Sequence, residues 1–189
     1  MEFESENTQV VVITGPVGVG KSAVAAELSD LLDAAGVAHA MVDMDWLRWC
    51  YPSPADDPFH TALGFQNLAA VWANYHVVGA RRLILVDIVE TRSAVDDYKA
   101  AVPGAEIQVV RLDATLATIR RRLEGRETGA NLDWHRNRAA ELKDLMQARA
   151  VEDFLVQTEG RTIAEVAAEI LVKIGWESVV TFKFPSREA

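Results

Sequence analysis

Apolar positions along the 189-residue chain alternate between two periodicities. Gln9–Thr14 (QVVVIT) is a β-branched run with no polar alternation, the pattern of a strand buried on both faces, and it ends at a glycine. From Lys21 onward Val24, Leu28, Leu31 and Leu32 recur at helical spacing up to Gly36, which predicts a helix with a glycine C-cap. Further strands are expected at His39–Asp43, Arg82–Asp87, Ala105–Leu112 and Phe154–Thr158, and helices across Thr61–Val78, Ser93–Val102, Leu116–Leu123 and Trp134–Arg149. Thr162-Ile163-Ala164-Glu165 has the form of a capping box before a helix with Ile163, Val166, Ala167, Ile170, Leu171 and Ile174 on one face. Val179–Phe184 (VVTFKF) alternates like an edge strand or a pairing tail. Cys50–His60 (CYPSPADDPFH), with three prolines, reads as a loop, and the polar stretch Gly125–Asp133 reads as a mobile flap. Strands separated by helices predict a parallel sheet with helices on both faces. One domain is expected, with its core over 9–175, a lid at about 125–133, a tail at 176–189 and its chemistry at the strand ends.

The segment between the first strand and the first helix carries the strongest chemical signal. Gly15-Pro16-Val17-Gly18-Val19-Gly20-Lys21-Ser22 matches G-x-x-x-x-G-K-[ST] in the strand-to-helix context that the motif requires. Glycines there let successive amides turn inward and, with the helix N-terminus, cradle phosphate oxygens. Lys21 is expected to reach the β- and γ-phosphates of a nucleotide, and the Ser22 hydroxyl to ligate Mg²⁺.

Carboxylates stand at the ends of two later strands. In an extended segment Asp43 and Asp45 project to one side, so the two could share a pocket, one orienting the waters of Mg²⁺ and the other accepting a proton from a substrate hydroxyl. The alternative for Asp45 is the N-cap of a helix over Trp46-Leu47-Arg48. Asp87 ends the apolar strand Leu83-Ile84-Leu85-Val86, in the manner of a carboxylate that holds Mg²⁺ through water, or caps the turn that follows. Arg48 and Arg92 follow these strand ends and are candidate partners for an anionic part of the substrate, against the alternative of solvated surface side chains.

Composition is that of an ordinary globular chain, but its charge is uneven. Nineteen basic against 28 acidic residues leave a formal charge of −9, the wrong sign for a nucleic-acid or anionic-membrane binder. Around Leu116–Arg138 the balance reverses: Arg120, Arg121, Arg122, Arg126, Arg136 and Arg138 stand against Glu124, Glu127 and Asp133. Such a cluster fits a lid that neutralises charge on a transferred phosphoryl group, Arg122 and Arg126 sharing one helical face, or else a solvated helix surface. Cys50 is the one cysteine, and no apolar stretch approaches the ~20 residues of a membrane helix. The acidic start, Met1-Glu2-Phe3-Glu4, is unlike a secretion signal, so a cytoplasmic protein is expected. Trp46, Trp49 and Trp72 read as packing residues, Cys50 as inert, and His60, His76 and His135 show no metal-ligand spacing.

These residues resemble the small P-loop kinases that phosphorylate metabolites or antibiotics, such as adenylylsulfate kinase, gluconate kinase, shikimate kinase and chloramphenicol phosphotransferase. The resemblance rests on GPVGVGKS at 15–22, VDMDWLR at 42–48, LILVD at 83–87 and RRRLEGRE at 120–127. It implies a three-layer P-loop NTPase fold with a five-stranded parallel sheet and an arginine-bearing lid, with MgATP as donor. By the same resemblance Asp45 is base or substrate anchor, Arg122 lies near the adenine or phosphates, and Arg126 is a lid arginine. The function expected is phosphoryl transfer to a hydroxyl of a small molecule, metabolite or antibiotic, by a monomer or homodimer, with ATP or GTP as donor. The alternative is a nucleotide-binding switch without transfer chemistry. Neither an N-K-x-D guanine reader nor a D-x-x-G after Asp87 is present to support a GTPase.

Overall fold

The computed structural model of the chain describes residues 7–125 and 128–180. In order, the elements are β1 (Gln9–Thr14), α1 (Lys21–Ala34), β2 (His39–Asp43), α2 (Met44–Arg48), α3 (Thr61–Val77), β3 (Arg82–Val86), α4 (Ala94–Ala101), β4 (Glu106–Asp113), α5 (Leu116–Glu124), α6 (Ala130–Arg149), β5 (Phe154–Gln157), α7 (Ile163–Lys173) and a 3₁₀ turn at Glu177–Val179. The strands form one parallel sheet in the order β2-β3-β1-β4-β5. β1 lies at its centre, with Val11 opposite Ile84 of β3 on one side and Gln108 of β4 on the other.

Period-two alternation divides the buried side chains between two cores, one on each sheet face. Val11 and Ile13 of β1 and Ile84 and Val86 of β3 pack with Val24, Leu28 and Leu32 of α1 and Val166, Ile170 and Leu171 of α7. Val10, Val12, Leu83 and Leu85 face the other way, against Leu68 and Trp72 of α3, Tyr98 of α4, and Leu142 and Met146 of α6. Burial on both sides is why β1 and β3 read as unbroken apolar runs.

Helix ends follow local chemistry. Thr162 caps α7 by accepting from the Glu165 amide at 3.2 Å, while the Glu165 carboxylate accepts from the Thr162 amide at 2.9 Å. The Thr162 amide, and then its hydroxyl, by donating to the exposed Glu165 carboxyl hold it below its usual pKa. Thr162→Ala should therefore cost about 1 kcal/mol of stability. Calorimetry should register it as a melting temperature lower by about 2–4 °C.

Four local expectations differ from the structure. α6 begins at Ala130, so the non-helical part of the presumed 125–133 flap is shorter. Its first turn carries no apolar stripe to announce a helix. Val179 lies in the 3₁₀ turn rather than in a strand, and 181–184 lie outside the described residues, as does Arg126. Trp72 is buried as expected, whereas Trp46 and Trp49 are exposed and stack on each other at 5.1 Å. The short helix considered over Trp46-Leu47-Arg48 is present as α2, but it starts at Met44, so Asp45 lies within it rather than in an extended segment or at its cap.

Candidate active site

The loop after β1 is held tightly from behind. A Cβ on Gly15 would come within 2.5 Å of the Leu112 carbonyl oxygen, and one on Gly18 within 2.8 Å of Leu123. Gly18 and Gly20 also have φ of +82° and +108°, the left-handed region that favours glycine. Val19 donates its amide to the Pro16 carbonyl at 3.3 Å, and the amides of Gly18 and Gly20 meet no acceptor among the described residues. Arg122 contributes from outside: its guanidinium donates to the Val19 carbonyl at 2.8 Å and to the Thr158 hydroxyl and carbonyl at 3.0 and 3.2 Å. The resemblance places Arg122 near the adenine or phosphates; in the structure its guanidinium joins the loop after β1 to the turn between β5 and α7.

Val17, Gly18, Gly20, Lys21 and Ser22 line one end of a cavity of about 720 Å³. It opens at the carboxyl ends of β1, β2 and β3, where a doubly wound sheet places its ligands. Thr14 ties two of these ends together by accepting from the Val89 amide at 2.9 Å. Lys21 Nζ donates to the carbonyls of Gly15, at 3.0 Å, and Pro16, at 3.4 Å, which keeps the ammonium against the loop.

Asp43 and Asp45 both face this cavity, for a different reason than strand alternation. Asp43 is itself the N-cap of α2 and accepts from the Asp45 amide at 3.1 Å, so the cap expected of Asp45 belongs to Asp43. Its other oxygen accepts from the Ser22 hydroxyl at 3.1 Å, joining the phosphate loop to β2. Asp45 is thus left in the first turn with its carboxyl toward the cavity. Partial burial, followed by the neighbouring charges of Asp43 and Asp87, raises its pKa above the ordinary aspartate value, against the opposing pull of Lys21 and Arg48.

Asp87 is placed otherwise than its strand-end position suggests. Arg48 donates to both of its oxygens, at 2.6 and 2.8 Å, and the Tyr98 hydroxyl and the Ile88 amide donate to it at 2.5 and 2.8 Å. Its side chain is 2% exposed. Every lone pair that could face a cation is therefore occupied by a donor. Burial acts to lower the Arg48 pKa, but the bond to Asp87 and its charge raise it, while burial and then the Asp87 charge push the Tyr98 phenol well up. Gly64 of α3 makes room for this pair, since a Cβ there would lie 2.8 Å from the Arg48 Cγ.

Arg92 is absent from the cavity lining. It points outward, donating to the Asp153 carboxylate at 2.8 Å and to the Val151 carbonyl at 3.0 Å. An acidic partner 61 residues away captures it before any substrate could. Other cavity residues carried no functional expectation from the sequence: Phe59, Phe65, Glu90, Asp97, Tyr98 and Trp134; Arg138, of the arginine cluster, also lines it. Phe65 and Tyr98 meet edge-on at 5.1 Å in its wall. An aromatic on a helix reads as core whichever way it faces, so only Phe59, in a loop too irregular for a core strand, carried a signal.

No protein-family model matches the chain, and no curated protein matches it in sequence. Solved structures do match in fold. Gluconokinase of Sinorhizobium meliloti superposes with a TM-score of 0.59 at 18% identity, over 89% of this chain and 92% of that one. Tunicamycin resistance protein of Deinococcus radiodurans gives 0.63 at 17%, over 89% and 96%. APS kinase of Mycobacterium tuberculosis, solved in complex with AMPPNP and APS, gives 0.59 at 24%, over 89% and 97%. The fold is therefore that of the P-loop small-molecule kinases, an all-parallel five-stranded sheet with helices on both faces. No helix among the described residues is long and apolar enough to cross a membrane.

Proposed function

We propose that this chain transfers the γ-phosphoryl group of ATP to a hydroxyl of a small molecule. The observation that carries the reading is one shared cavity: the phosphate loop with Lys21 and Ser22 at one end, and the Asp45 carboxyl facing the same space. In the reaction, the acceptor oxygen forms a bond to the γ-phosphorus as the bond to the leaving ADP oxygen breaks. The acceptor proton passes to Asp45. Loop amides and Lys21 hold the phosphates and offset the charge that develops on them.

Mg²⁺ suits the residues present. Ser22 Oγ and Asp43 Oδ2 sit 3.1 Å apart, two oxygens beside the phosphate loop, and no cluster of three or more acidic, histidine or cysteine side chains competes among the described residues. Magnesium prefers such sparse protein ligation because it keeps waters and phosphate oxygens in its shell. When bound, it would neutralise phosphate charge. Asp87, with its oxygens occupied by Arg48, Tyr98 and Ile88, serves the site by holding Arg48 rather than by facing the ion.

A raised Asp45 pKa gives this reading a pH signature. The base must be ionised to accept the proton, so kcat/KM should rise with pH through the Asp45 pKa and level off above it, with its acid limb above the ordinary aspartate range near about 3.9. A pH–rate profile with the true acceptor checks this. An acid limb at or below the ordinary value would show that Asp45 is not the base.

A further inference from the structure

We propose that the acceptor is an alcohol with no anionic group, neutral or bearing a protonated amine, and with a flat or apolar portion. The proposal rests on the phosphotransferase reading and specifies its substrate class. Two independent features of the cavity carry it.

The first is how its cations are committed. Arg48 is joined through both terminal nitrogens to Asp87, and that carboxylate is buried among further donors. Drawing Arg48 toward a substrate carboxylate would strand a buried charge, which is strongly unfavourable. Arg138 is paired with Glu90 and also lies 3.5 Å from Glu141. Lys21 is held at the carbonyls of the phosphate loop, on the donor side. Asp45 and Asp97 line the acceptor side, and no arginine or lysine among the described residues forms an ion pair with either. The acceptor end thus carries a net negative field, focused by low-dielectric walls. A carboxylate, sulfate or phosphate on the acceptor would meet repulsion there without gaining a bidentate partner, whereas an ammonium would be drawn toward Asp97.

The second feature is apolar. Phe59 and Trp134 line the cavity while 74% and 57% exposed, and Phe65 continues the same surface inward. Exposed aromatics at the mouth of a cavity are covered most favourably by an apolar or planar ligand surface.

Three probes of one size test this class: benzyl alcohol, benzylamine and benzoate, titrated into the full chain by calorimetry with and without MgADP. Only binding that survives MgADP counts, because an anion could otherwise lodge on the phosphate loop. Benzyl alcohol and benzylamine are expected to bind at least about tenfold tighter than benzoate, a difference set by the charge of the cavity. Trp134→Ala should weaken both, and Glu90→Gln, which removes a negative charge from the cavity lining and leaves Arg138 with Glu141 alone, should narrow the gap to benzoate. Benzoate binding as tightly as the other two, no probe binding at all, indifference to Trp134→Ala or an unchanged gap in Glu90→Gln each overturns the proposal. Failure of the phosphotransferase reading shows separately, as absence of MgADP binding in the same titrations.

Discussion

Lys21→Ala is expected to abolish measurable phosphoryl transfer, lowering kcat/KM by on the order of 10³-fold or more, because one preorganised charge at the transferred group carries an effect of this size. In the structure the Lys21 ammonium is held by the Gly15 and Pro16 carbonyls, so it is positioned before a nucleotide arrives. The loop itself should survive the change, since its shape depends on Gly15 against Leu112, Gly18 against Leu123 and the Arg122 strut. Circular dichroism and the melting temperature should therefore stay near those of the parent. Release of ADP in the presence of the true acceptor is the measurement. Activity that persisted in this variant would refute phosphoryl transfer at this cavity.

Asp45→Asn should lower kcat by about 10²- to 10⁴-fold, the usual contribution of a positioned general base. Affinity for MgATP should change only a few-fold, because the Ser22–Asp43 pair and the loop are untouched. Loss of turnover with retained nucleotide binding is what separates a kinase from a nucleotide-dependent switch, in which the same substitution would alter neither. The sign of the stability effect is opposite to that of the activity effect. A raised carboxyl pKa means that the folded state holds the proton more firmly than the unfolded chain, so stability falls as pH rises from the ordinary value through the raised one. At neutral pH the ionised Asp45 opposes folding, and the Asn variant should melt slightly higher. A variant that lost both stability and activity would point to a structural role instead.

The pairing of Arg48 with Asp87 shows where reasoning along the chain stops. Both residues are visible as charged positions after strand ends, and each invites a ligand of its own. In space the first candidate satisfies the second, across 39 residues, with Tyr98 completing the shell and Gly64 clearing the path. Arg92 and Asp153 repeat the pattern on the outside of the molecule. Long-range ion pairing leaves no period in the sequence, so a charged residue looks equally available whether or not its partner exists. Trp46 and Trp49 are exposed for a related reason: a tryptophan's apolar surface is evident from its identity, but whether the chain turns it inward depends on what packs beside that segment.

What the amino-acid order settled by itself is the set of local features. Unbroken apolar runs sufficed for β1 and β3, because a strand buried on both faces needs no partner to be recognised, and shorter apolar segments between helical stretches marked β2, β4 and β5. Gly15–Ser22 likewise declared a phosphate-binding turn, and Thr162 with Glu165 a helix start, since these depend on backbone geometry and neighbours within a few residues. Tertiary structure alone decided which carboxylate remains open to a substrate and which is neutralised. It left Asp45 facing the cavity, gave Asp43 to Ser22 and the cap of α2, and closed Asp87 with Arg48, because only folding sets the distances between charges that are far apart in the chain.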